Sequence, residues 1–199
     1  MNASIQRRQA IILAAGLMIF PFTLLSVNQG SAQERTLSGD AALARAIGIL
    51  THEKSAAEQY AVILATAGKS DVGLYVRGIQ LYADAKAEFD ALIAELKFDL
   101  TTGKDPAGSA TFNEALQGAA EKRVAFTSFV LHEVVDKVNG ARPGLPDVIT
   151  AVPELGKAIR GAGLSIWNVF HDARKDRRDA ILDDIDHLQW RSFGDLAKT

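Results

Sequence analysis

The chain has 199 residues, a formal net charge of −2 and no cysteine. A weakly acidic chain offers no clustered positive surface for a phosphate backbone, which argues against nucleic acid as a partner. The lack of cysteine excludes disulfides and thiol catalysis.

Residues 1 to 32 have the order of a secretory signal: Arg7 and Arg8, then an apolar run from Ala10 to Val27 interrupted by Pro21, then a polar stretch closing on Ala32. The small residues Gly30 and Ala32 place the cut before Gln33. The alternative is an uncleaved anchor, although a run of about 18 residues is at the short limit for a membrane span. Without Arg7 and Arg8, the remainder of the 22 basic side chains faces 24 acidic ones. Export to an oxidising compartment permits disulfides, yet this chain uses none, so its stability rests on packing. A single domain of this size can bury about 70% of its unfolded surface. The expected organisation is a signal over 1–32, a flexible leader over 33–39 and one domain over 40–199.

Four periodic segments follow. The first runs from Asp40 to Gly68, with Leu43, Ile47, Leu50, Ala57, Tyr60 or Ala61, and Leu64 on one side. The second starts at Ser70, after a link short enough to make the two helices antiparallel neighbours. Its seam is Tyr75, Ile79, Tyr82, Phe89, Ile93, Leu96 and Leu100, a heptad with Lys86 in the one polar slot. Gly103, Pro106 and Gly108 mark a loop. Thr111 to Glu114 has the spacing of a capping box opening a third helix, whose seam is Phe112, Leu116, Ala119, Phe126, Phe129, Val130, Val134 and Val138. Asn139-Gly140 should stop it.

After the stiff stretch 141–146, the last segment carries Leu155, Ile159, Ala162, Ile166, Phe170, Ala173, Ile181, Ile185 and Leu188. That spacing reads as one helix of about nine turns reaching Trp190, the longest in the chain. Gly161 and Gly163 predict either a bend or a close helix–helix approach. The sum is an all-α antiparallel bundle of four main helices.

The chemistry is sparse. His52-Glu53 and His132-Glu133 are adjacent pairs that diverge on a helix, and no Glu-x-x-His motif occurs. The nearest metal set is Asp183, Asp184 and His187, with His171 as a further candidate, set against the simpler reading of surface histidines. There is no nucleophile elbow and no phosphate loop. Asp172, Asp176, Asp179, Asp183 and Asp186 recur in steps of four and three, placing an acidic stripe on one face. Arg174, Lys175, Arg177 and Arg178 interleave with it and offset much of its charge.

Trp190-Arg191-Ser192-Phe193 joins the residue types that concentrate in binding surfaces. The expected function is therefore a non-catalytic, periplasmic or secreted module, without cofactor, that binds a protein partner, a second copy of itself or a small ligand. Its contact surface would be Asp172, Asp176, Asp179, Trp190, Arg191 and Phe193, on a helix end projecting beyond the bundle; the alternative is that the helix bends at Gly161–Gly163 and folds its whole seam into the core, with Trp190 as an anchor. Membrane attachment enters only with an uncleaved N-terminus. The alternative is a helical metal-binding protein or metalloenzyme using His187 with Asp183 and Asp184, or His171.

Overall fold

A computed structural model describes residues 39–67, 71–135 and 148–198. The expected signal and all of the leader except Gly39 lie outside these residues, as do the expected helix boundaries at Gly68, Ser70 and Asn139-Gly140. Among the described residues the protein is all-α. Its helices are α1 (Gly39–Ala67), α2 (Val72–Thr102), α3 (Ala110–Phe129), α4 (Val148–Asp172), α5 (Lys175–Asp186) and the single turn α6 (Phe193–Leu196). α3 passes directly into a π-helical segment, Val130–Val135. None of these helices is long and apolar enough to cross a membrane.

Local chemistry sets the ends of α2 and α3. The Asp71 side chain accepts from the Leu74 amide at the start of α2, and Gly103 closes it at φ 70°, a left-handed position suited to glycine. α3 does not use the expected box at Thr111. Its cap is Ser109, whose hydroxyl accepts from the Phe112 amide, while the Asn113 side chain donates back to the Ser109 carbonyl. The buried Pro106 and the turn after it deliver Ser109, two residues earlier, to the helix entrance.

α2 and α3 form the most extensive pair, followed by α1 with α4 and then α3 with α4. α2 and α3 run antiparallel, since Tyr82 meets Phe126 while Glu88 meets Gly118. Phe89, Leu92, Ile93, Leu96, Phe112 and Phe126 are all almost fully buried between the helices. A side chain of this kind contributes about 1.5–3 kcal/mol when buried.

Gly163 is the expected close approach: a Cβ there would lie 2.9 Å from the Phe112 ring, so glycine lets α4 meet α3. α4 stays helical through Gly156 and Gly161, which face open space.

Two expectations need correction. The segment from Leu155 to Trp190 is not one helix, and the longest helix is α2, with 31 residues against 25 in α4. The chain breaks at Ala173-Arg174, away from the glycines. Arg178 holds the break, its guanidinium donating to the carbonyls of Phe170 at 3.0 Å and His171 at 2.7 Å. In an unbroken helix those carbonyls would take the amides of residues 174 and 175.

The second correction concerns what lies beyond. Instead of projecting, residues 175–196 fold back and bury Ile181, Ile185, Leu188, Trp190 and Leu196. A straight helix would leave that apolar area in water. Returning it to the bundle fills a furrow between α1 and α2, which are consecutive but pack only lightly on one another.

Candidate functional site

The furrow and the strap that fills it, residues 186–196, hold the densest polar network among the described residues. The strap runs with α1 and against α2. From α1, Lys54 donates to the His187 carbonyl at 2.7 Å. One turn on, the Glu58 carboxylate accepts from the Arg191 amide at 2.9 Å and, through its other oxygen, from the guanidinium at 3.0 and 2.9 Å. From α2, Lys97 pairs with Asp186, Asp90 accepts from the Trp190 amide at 3.3 Å, and the Tyr82 hydroxyl donates to the Arg191 carbonyl at 2.8 Å.

Residues 189–192 are not helical, so their backbone groups need such partners when enclosed. The side chains of the two flanking helices supply them.

An aromatic cluster lies beneath these bonds. The Trp190 ring stands 5.0 Å from Phe89 and 5.8 Å from Tyr82, and Phe193 lies 5.9 Å from both Tyr75 and Tyr82. Such contacts add about 0.5–1.5 kcal/mol each beyond area burial. Burial, reinforced by the Glu58 carboxylate and opposed by Arg191, raises the Tyr82 pKa well above the ordinary phenol value. Among the described residues the buried indole nitrogen of Trp190 has no hydrogen-bond partner.

A second buried polar group joins α1 to α3. Glu53 stands 3.0 Å from Arg123, which also donates to the Thr127 hydroxyl at 3.1 Å. The charges of Glu53 and Arg123 attract at this distance, but their alignment is too poor for a full hydrogen bond. Burial raises the Tyr60 pKa beside them, with Arg123 opposing the shift. Asp99, at the far end of α2, is fully buried, and among the described residues neither carboxylate oxygen has a hydrogen-bond partner.

The residues singled out from sequence divide into three groups. Trp190, 3% exposed, is a core anchor rather than a surface residue. Arg191 and Phe193 fasten the strap. Asp172, Asp176 and Asp179 are exposed, as is Asp183, and none of the four forms an ion pair among the described residues.

The metal candidates do not converge. His187 closes α5 with its ring nitrogen 2.7 Å from the Asp183 carbonyl, and His171 stacks on Trp167 at 5.1 Å. Among the described residues no three His, Asp or Glu side chains come together as an ion site.

Sequence reasoning missed Glu58 and Arg123, and weighed Glu53 only as a diverging pair with His52. Glu53 lay in plain view, three residues after Leu50 and four before Ala57 on the buried side of α1. A shallow groove of about 390 Å³ between α3 and α4, bordered by Asn113, Gln117, Pro153, Lys157 and Arg160, also went unread. Comparison with protein-family models, with curated proteins and with solved structures finds no match.

Proposed function

We propose that this chain is a non-catalytic helical-bundle module of the extracytoplasmic space that binds a protein partner through the outer face of α5. The observation that carries the reading is the contrast across that helix. Its inner face, Ile181 and Ile185, is sealed in the core, and ion pairs fix both ends: Arg177 to Asp40 on α1 and Asp186 to Lys97 on α2. Outward it holds Asp176, Asp179 and Asp183 in solvent at helical spacing. Carboxylates held on a rigid element steer and orient a basic partner without first having to be ordered. The order of residues 1 to 32 supports export.

The test uses the full chain with a photo-crosslinking residue at Asp179 and, as control, at the exposed Gly48 of α1. A defined adduct should form from position 179 alone and vanish when Asp176→Lys and Asp183→Lys are added beside it, with the melting temperature unchanged. Equal labelling from both positions would end the reading. Stoichiometric metal in the purified protein, lost in His187→Ala, would replace it with the metal-binding alternative.

A further inference from the structure

The segment 175–196, α5 together with the strap, is tied to the furrow far more firmly than to α4. Its polar bonds run to Lys54 and Glu58 on α1 and to Tyr82, Asp90 and Lys97 on α2, with Arg177 reaching Asp40. Arg178 reaches back across the break to α4.

The break itself has no helix-breaking residue. Ala173 and Arg174 are both good helix formers, and Arg174 makes no side-chain capping bond at the start of α5. The spacing of Ile159, Ala162, Ile166, Phe170, Ala173, Ile181 and Ile185 also continues in helical phase across it. The sequence thus supports two states of this segment: folded back, or straight.

We infer that the α1–α2 furrow is an interface for a second copy of this chain and takes that copy's residues 175–196. In the exchanged dimer α4 and α5 join as one helix, and each strap makes in its neighbour the contacts it makes here in its own chain. Those contacts are identical in both states, so the hinge sets the balance. Exchange of an identical element is a low-cost route to a dimer for this reason. Arg178 is the latch, because its bonds to the carbonyls of Phe170 and His171 exist only when the helix is broken. This goes beyond binding at the outer face of α5, and the two stand or fall separately.

The test exploits the Glu58–Arg191 pair. Glu58→Arg and Arg191→Glu are made in separate full-length chains, each of which then faces a like charge within its own furrow. Mixed and refolded together, each chain's strap finds an opposite charge in the other's furrow. A heterodimer should dominate the mixture by light scattering, while neither variant forms it alone.

Lys175→Pro in both chains should abolish it. Proline suits the first position of α5, but its ring would strike the preceding turn of a straight helix. A heterodimer that survives Lys175→Pro overturns the exchange. So does a mixture that stays monomeric although the double variant Glu58→Arg/Arg191→Glu folds in one chain.

If the charge-reversed chains do not fold, the native furrow decides. Arg178→Ala should raise the dimer fraction on the order of tenfold, matching loss of charge-assisted hydrogen bonds, and Lys175→Pro should cancel the rise. Equal dimer fractions in wild type and Arg178→Ala overturn the proposal.

Discussion

The interface of α2 with α3 and that of α1 with α2 are both made by consecutive helices on short links, yet they are built in opposite ways. The first is direct: large apolar side chains from Tyr82 to Leu100 meet those of α3, with glycine at Gly118 where Glu88 comes close. The second is bridged. α1 and α2 come close where Gly78 admits Leu64, and along the furrow a third piece of chain stands between them, held by carboxylates, lysines and a tyrosine hydroxyl. A short link brings two helices together in space, but the bulk of their facing side chains decides whether they pack.

The sharpest way to break the comparison is to cut the direct interface. Phe126 is fully buried against Tyr82, and Phe126→Ala should cost about 3–5 kcal/mol in denaturant unfolding, the range for an aromatic deleted from a core.

The bridged interface should respond less. Glu58→Ala removes the acceptor of the Arg191 amide and the guanidinium partner. Because the Arg191 side chain is 54% exposed, water replaces part of the loss and about 1–2 kcal/mol is expected. In a Trp167→Phe background the Trp190 emission should shift to the red, reporting a loosened strap.

Tyr82→Phe should cost least, about 1 kcal/mol for one hydrogen bond, and it carries a pH signature. The folded phenol holds its proton to higher pH than the unfolded one, which releases it near pH 10.0. The folded state therefore binds more protons above that point, and stability must fall as pH rises past it. Tyr82→Phe should flatten this alkaline decline, as unfolding curves below and above pH 10.0 would show.

The seams of α2 and α3 were legible because big apolar residues recur at helical spacing, and burial follows from that pattern with little help from elsewhere. Tyr82, Phe89 and Phe126 are in the core where periodicity puts them. The break at Ala173-Arg174 was not legible, since no glycine or proline marks it. It arises from a local bond by Arg178 and from a distant gain, the burial of Trp190 against Phe89 on α2.

The same remoteness hid the partners of Glu53 and Glu58, one of them 133 positions away in sequence. The α3 cap slipped for a smaller reason: two hydroxyls stand two residues apart, and only the path through Pro106 selects Ser109. Trp190 was picked out correctly as special and misplaced, because an indole beside an arginine reads the same whether it faces a partner or its own core.

The strap also fixes an order of events during synthesis. Trp190 and Leu196 belong to the core, so the ribosome delivers the piece that closes the furrow only after α1 to α4 are made. Between Asp172 and Leu196 a nascent chain holds Tyr82 and Phe89 uncovered for roughly 1–5 s at about 5–20 residues per second. In that interval the furrow is open to a chaperone, or to the chain emerging from the next ribosome on the same message.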